Sequence, residues 1–266
     1  MPHETVEERD AKSTAMKRLL LEPGTDGAAA GAIPRTLVQY WDDLENLPDD
    51  VERCMSTWKG LAEAGFEIVV FDDRRAREFL ASYYGGAHVA AFDRCSHPAM
   101  RCDYFRMGFV LAHGGFYVDA DDAYVGKGWE RLYLDDTLKL QPLCYDLETD
   151  IMVPPGDFLR ADAATDGRIY YVNNNPVVAP PGHPLLDAAL KRATRLLDTP
   201  PFDIQATTGP GNMTKCLLDH AAGLAYRRVA RDYSFLGDWH LIARTVWELS
   251  YRGDARNWRN VATAKA

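Results

Sequence analysis

Apolar and polar positions divide the chain into alternating extended and helical stretches. Leu37-Val38-Gln39-Tyr40-Trp41 is a short apolar run that reads as the first strand. Val51 to Ala64 reads as a helix, Phe66 to Phe71 as a second strand ending on Asp72-Asp73, and Arg75 to Tyr83 as helix again. Ser96-His97-Pro98 is a helix start, a cap candidate with proline in the first turn. That helix runs to about His113, where Gly114-Gly115 stops it. A strand follows over Phe116 to Asp121. Leu138 to Tyr145, Ile169 to Val172 and Pro176 to Ala179 are short and strand-like. Helices are expected over His183 to Leu197, Met213 to Leu224 and Leu241 to Tyr251. Strands alternating with helices through short links predict an α/β sheet. Residues 1–31 read as a helical or frayed extension, with a Gly/Ala-rich flexible joint at Gly24 to Gly31, ahead of one domain over residues 32–266.

The strand after the glycine pair carries the first chemistry. Strand side chains alternate faces, so Tyr117, Asp119 and Asp121 share one face, with the two carboxylates about 7 Å apart. Asp122 lies just beyond. Like charges this close need a cation or strong donors beside them. One or two carboxylates plus a diphosphate suit Mg²⁺ or Mn²⁺; a solvated acidic turn is the alternative. On the preceding helix Asp103 and Arg106 are three residues apart and share a face. They form either a surface ion pair of little worth or a half-buried pair that holds a ribose hydroxyl and a phosphate, to which a guanidinium is suited. The apolar neighbours Met107, Phe109, Val110 and Leu111 bury much of this helix.

Composition narrows the partners. The 266 residues include 30 basic and 39 acidic side chains, a formal charge of −9, which argues against nucleic acid as the main partner. No apolar run approaches the ~18 residues of a membrane span. Leu19-Leu20-Leu21 is too short for the apolar part of a signal peptide. Cys54, Cys95, Cys102, Cys144 and Cys216 are scattered, with no CxxC pair, and read as thiols in a reducing compartment. A cytoplasmic location is expected.

The set Arg101-Cys102-Asp103-Tyr104-Phe105-Arg106, Leu111, Gly114-Gly115, Tyr117, Asp119 and Asp121 resembles the signature of Asp-x-Asp glycosyltransferases. It most resembles the family of yeast initiating α-1,6-mannosyltransferases and bacterial capsular-sugar transferases (glycosyltransferase family 32), whose core the glucosylating clostridial toxins share. Ile33 to Trp41 resembles that family's opening strand, and Ser56-Thr57-Trp58 and Phe71-Asp72-Asp73 fall at the expected places between. The resemblance covers about residues 33–125, with weaker echoes at Asn173 to Pro184 and Thr208-Gly209-Pro210. It implies a single GT-A (Rossmann-like) nucleotide-sugar transferase domain, a mixed central sheet flanked by helices. Its nucleotide-binding half would be about 33–125 and its acceptor-side half about 126–266.

The resemblance also implies roles. Trp41 would stack on the nucleotide base, with Tyr40 beside it. Asp103 and Arg106 would contact ribose, donor sugar and diphosphate, and Tyr117 would pack near the nucleotide. Asp121 would ligate Mn²⁺ or Mg²⁺ directly, and Asp119 would act through water or ribose. Val38 stands where the family usually has His. Asp238-Trp239-His240 stands in for a late His-Trp-type segment, which makes His240 or Asp238 the candidate to complete the metal shell.

Other features keep two readings. Asn173-Asn174-Asn175 is a turn at a strand end, or a set of amides lining a sugar pocket, with Asn174 as the donor contact. Thr207 to Asn212 is a capped helix start or a phosphate-facing loop. Trp247, Tyr251 and Trp258 are core, or an aromatic rim for an acceptor. The function implied is metal-dependent, retaining hexosyl transfer from a nucleoside diphosphate sugar, UDP- or GDP-linked, to a hydroxyl of a soluble small-molecule or glycan acceptor. Natural-product or glycan biosynthesis is the expected setting, with no nucleic acid and no membrane span. The alternatives are an Asp-x-Asp phosphohydrolase and a catalytically inactive nucleotide-sugar-binding protein. The phosphohydrolases place their motif on the first strand with a hydroxyl residue two positions on, where this chain has Ala123.

Overall fold

In the computed structural model, which describes residues 5–22 and 31–263, the chain begins with α1 (Val6–Leu21), β1 (Thr36–Tyr40), α2 (Asp49–Ser56), β2 (Glu67–Phe71), α3 (Asp73–Tyr84), α4 (Gly86–Arg94) and α5 (Pro98–His113). There follow β3 (Gly115–Tyr117), β4 (Asp122–Tyr124), β5 (Leu138–Asp146), β6 (Ile151–Met152), α6 (Pro155–Phe158) and β7 (Arg168–Ala179). The last part holds α7 (Pro184–Leu196), α8 (Ile204–Thr207), α9 (Pro210–Arg227), β8 (Tyr233–Phe235), β9 (Ala243–Thr245) and α10 (Trp258–Thr263). Turns of 3₁₀ helix occupy Thr57–Ala64, Trp129–Tyr133, Trp239–Leu241 and Ser250–Gly253.

Seven strands form one mixed sheet in the order β2-β1-β3-β7-β5-β6, with β8 paired to β5. β1 runs parallel to β2 and β3, and β7 runs antiparallel to β3 and β5. The two-residue period sorts the side chains. Leu37, Phe116 and Val178 pack on one face with Trp58 and Trp239. Val38, Tyr117 and Val177 pack on the other with Tyr104, Phe105 and Phe109 of α5. Helix α5 is apolar almost all round and correspondingly buried on most sides.

Gly114 and Gly115 make the junction between α5 and β3 possible. Their φ values are +68° and +102°, and a Cβ on Gly115 would stand 2.6 Å from the Thr36 carbonyl oxygen. Only glycine lets β3 lie this close to β1. As a result the carboxyl ends of β1 and β3 leave the sheet together, carrying Trp41 and Asp119. Such a crevice is where sheets of this kind bind ligands.

Several expectations change. The strand expected over Phe116 to Asp121 stops at Tyr117, after which Asp122 N–H bonds back to the Asp119 carbonyl at 3.2 Å in a turn. Asp119 and Asp121 therefore do not share a strand face. The cause is Asp122, which is buried and draws the chain inward. Asn173 to Asn175 is no turn: it lies inside the 12-residue β7, which joins the two short strands expected there. Within the expected start of α5 the cap is His97, whose Nδ1 accepts from Ala99 N–H at 3.0 Å. The helix expected over Leu241 to Tyr251 is replaced by β9 and a 3₁₀ turn, because β9 pairs with β4. Of the two readings of the N-terminal residues the helix is the one seen: α1 buries Met16 and Leu19 against the main core, and its Ser13 hydroxyl accepts from Tyr170 N–H of β7. The joint expected at Gly24 to Gly31 lies, except for Gly31, outside the described residues. Among those residues no helix is long and apolar enough to cross a membrane.

Candidate active site

A cavity of about 1860 Å³ opens at the carboxyl ends of β1 and β3. Tyr40, Trp41, Asp103, Arg106, Asp119 and Asp121 all line it, as does Asn174. The fold thus gathers seven of the nine side chains singled out from sequence.

Arg106 is the hub on the α5 side. Its Nη2 reaches Asp119 Oδ1 at 2.9 Å and Asp103 Oδ1 at 3.0 Å, and its Nη1 donates to the Asn174 carbonyl at 2.6 Å. Its guanidinium lies 4.3 Å from the centre of the Tyr117 ring. The side chain is only 5% exposed, so the surface-pair reading fails: this is a buried, charge-assisted network. Asp103 also accepts from Asn174 Nδ2 at 2.8 Å. Burial pushes its carboxyl up to about 6, against the opposing pull of Arg106.

Tyr117 is fully buried beneath Asp119 and does not line the cavity. Its hydroxyl donates to Asp119 Oδ1 at 2.9 Å and meets Cys102 Sγ at 2.8 Å. Burial raises its pKa far above that of an ordinary phenol, so it stays a neutral donor. Its position is a support for Asp119 rather than part of the cavity wall.

The acidic turn is clipped from below by side chains with no local sequence signal. The antiparallel pairing of β3 with β7 ends at Tyr117 and Val177, and just beyond it Asn175 meets Asp119. Asn175 Oδ1 accepts from Asp119 N–H at 2.9 Å while its Nδ2 donates to Asp122 Oδ2 at 2.8 Å. Thr245 Oγ1 and Trp239 Nε1 also donate to Asp122, at 2.6 and 3.2 Å. Asp122 is thus an anchor, and the turn it fixes presents Asp119 and Asp121 to the cavity.

Asp121 meets the C-terminal segment. Tyr251 donates to its Oδ2 at 2.8 Å, and Arg252 pairs with the same oxygen. Burial, and then repulsion from Asp119 and Asp122, push this carboxyl up to about 6. The same segment covers Trp41: the Tyr251 ring meets it edge-on at 5.2 Å, and Arg256 lies 5.5 Å over it. Tyr40 sits deeper, its hydroxyl bonded to Asp73. Arg252 and Arg256 were not anticipated from sequence. Their one signal is the interleaving of Arg with Trp and Tyr over residues 247–259, a pattern suited to anions and ring faces.

The carboxylates fit a hard divalent ion. Asp119 Oδ1 and Asp121 Oδ2 are taken by the hydrogen bonds above, which leaves Asp119 Oδ2 and Asp121 Oδ1 as the oxygens for a cation. Two protein carboxylates with a diphosphate and water suit Mg²⁺ or Mn²⁺. His240 is not brought to them. It is exposed and off the cavity, because Trp239 beside it turns inward onto Trp58 and Asp122. Asp238 pairs instead with Arg131. Among the described residues, the one group of three with metal-ligand spacing is His183, His220 and Asp232, away from the cavity. There His183 Nδ1 accepts from Leu185 N–H at 3.2 Å, so the ring proton sits on Nε2, 3.1 Å from the Asp232 carbonyl. That tautomer ties α7 to β8 and turns no lone pair to an ion.

Residues 48–137, which include Asp103, Arg106 and the acidic turn, match the family model described as "Glycosyltransferase sugar-binding region containing DXD motif". The resemblance to Asp-x-Asp glycosyltransferases holds. The initiation-specific α-1,6-mannosyltransferase of Schizosaccharomyces pombe is 26% identical over 176 residues, 58% of this chain and 41% of that one. An uncharacterized glycosyltransferase of Acanthamoeba polyphaga mimivirus is 27% identical over 94 residues, 34% of this chain and 36% of that one. The chain therefore spans less than half the length of each of these relatives. The PaToxG glycosyltransferase has a similar fold, with a TM-score of 0.52 at 15% identity, covering 82% of this chain and 77% of that one.

Proposed function

We propose that the chain is a glycosyltransferase that moves a sugar from a nucleoside diphosphate sugar to an acceptor hydroxyl, aided by a divalent cation and with retention of configuration. The observation that carries this reading is the buried Asp103–Arg106–Asp119 network, set beside Asp121 in one cavity at the carboxyl ends of β1 and β3.

In this reading Asp119 and Asp121 would hold the ion, which would supply positive charge to a departing diphosphate. His240 has no part in it. Trp41 is the base platform, with Arg256 beside its ring. Asp103 and Asn174, bonded to each other, offer oxygen and amide groups to sugar hydroxyls. Arg106 sets the position and charge of Asp103 and Asp119 from within the core. Arg252, which lines the cavity and pairs with Asp121, is the guanidinium we assign to the diphosphate oxygens. Asp103 and Asp119 are each held by several hydrogen bonds, which suits them to binding better than to nucleophilic attack. The acceptor hydroxyl then attacks the anomeric carbon on the face that the diphosphate leaves, and its proton passes to the departing phosphate oxygen. The five cysteines, all free thiols, favour a reducing compartment such as the cytoplasm.

Incubation with Mn²⁺ and a panel of UDP- and GDP-sugars tests this. Nucleotide release from one donor, with a rise in melting temperature for the same nucleotide, is expected. No release from any donor would overturn it.

A further inference from the structure

The cavity is larger than a single small ligand needs, which is roughly 300–1,000 Å³. Its lining extends along β5, β6 and β7. Strand alternation gives these strands one buried face, with Cys144, Tyr170 and Val172 at 0% exposure. A strand covered on one face normally turns polar residues to the other. Here the other face is apolar too. Leu143 stands opposite Tyr171, and Tyr145 stands opposite both Ile169 and Met152. All five side chains line the cavity. An open apolar patch of this kind marks a binding surface.

The patch has a defined relation to the donor end. On the same strand face, the next rung towards Asn174 is polar: Asn173 Nδ2 donates to Gln141 Oε1 at 3.1 Å. Tyr171 and Ile169 precede Asn174, the partner of Asp103, by three and five residues along β7. The two phenol hydroxyls on the patch are directed to neighbours, Tyr145 to Asp150 and Tyr171 to Met152 Sδ. The rungs therefore offer a ligand ring faces and alkyl groups. A glycan's hydroxyls would find a carboxylate and amides only at the edges of the patch, at Asp150, Gln141 and Asn173.

We propose that Leu143, Tyr145, Met152, Ile169 and Tyr171 form the acceptor subsite, and that the acceptor is a hydroxylated molecule with an apolar, ring-bearing body rather than a free oligosaccharide. The assignment rests on the transferase reading above. The apolar body lies on the β5–β7 rungs, and its hydroxyl points past Gln141 and Asn173 towards Asp103.

The probe is 4-methylumbelliferone, a flat phenol, titrated into the full chain by fluorescence with and without Mn²⁺ and a UDP- or GDP-sugar. Saturable binding is expected, not displaced by mannotriose. Ile169→Ser and Met152→Gln should each weaken it about 10-fold or more, the scale of a changed hydrophobic pocket. Met152 is 39% exposed, so that variant should keep the wild-type melting transition and guards against a folding failure in the first. No saturable binding, displacement by mannotriose, or wild-type binding by both variants would overturn the acceptor assignment alone. Nucleotide release absent with every donor would instead overturn the transferase reading, and this assignment with it.

Discussion

Tyr251 donates its hydroxyl to the Asp121 carboxylate at 2.8 Å, across 130 residues of sequence. Arg252 pairs with the same oxygen. The acidic turn therefore already carries a cationic partner, supplied by the far end of the chain. An ion that binds Asp121 must share it with a guanidinium.

Removing that guanidinium should help the ion when no nucleotide is present. Arg252→Met is expected to tighten Mn²⁺ binding about tenfold, or ~1.4 kcal/mol, while weakening nucleotide diphosphate binding. Asp121→Asn should abolish Mn²⁺ binding without lowering the melting temperature. Titration of Mn²⁺ by electron paramagnetic resonance measures both, and equal affinity in Arg252→Met and wild type would remove Arg252 from the competition.

Arg106 belongs to the core as much as to the site. Arg106→Ala leaves Asp103 and Asp119 without their shared cation, and breaking a buried pair in this way costs about 3–5 kcal/mol. Arg106→Lys keeps the charge but not the fork, so it should recover only part of the loss. Urea unfolding of the two variants, read beside nucleotide release, checks this. A loss under ~1 kcal/mol in Arg106→Ala would contradict the burial described above.

The packing of Trp41 against Tyr251 and its proposed role as base platform can be separated by a pair of substitutions. Trp41→Ala should lose stability through the contact with Tyr251 and weaken nucleotide binding by about 1–3 kcal/mol, the range for base–aromatic stacking. Trp41→Phe should keep most of the stability and part of the affinity. Calorimetry with UDP and GDP decides the point: unchanged affinity in both variants would assign Trp41 to packing alone.

Asp103 should make stability depend on pH. Its folded carboxyl sits at about 6, above the ordinary 3.8, so the folded chain holds this proton more tightly than the unfolded chain does. The contribution of this group is greatest below about pH 4, falls as pH rises to about 6, and is flat above that. Relative to Asp103→Asn, the wild type should lose up to about 3 kcal/mol over that window. Urea unfolding of both proteins at the two ends of the window measures the difference. Parallel pH dependence would mean that Asp103 titrates as an ordinary aspartate.

Much of the frame was legible because its signals are local. The Pro98 start and glycine stop of α5, the apolar run of β1 and the spacing of Asp103, Arg106, Asp119 and Asp121 all depend on residues close in sequence. The same local reasoning failed where distant partners intervene. The strand expected through Asp121 is cut short by Asp122, whose partners Asn175, Trp239 and Thr245 lie far along the chain. Leu241 to Tyr251 has a helix-like pattern, yet the edge of β4 draws part of it into β9.

By itself, then, the sequence determined an α/β sheet with its acidic residues after β3, since hydrophobic period, glycine and proline act over a few residues. Only the tertiary structure decided which side chains reach the cavity. Tyr117 was turned beneath Asp119, His240 was turned out by the inward pull of Trp239, and Asn175, Tyr251 and Arg252 were brought to the acidic turn. Those outcomes depend on strand register and on burial of groups more than 50 residues apart, and no local pattern encodes either.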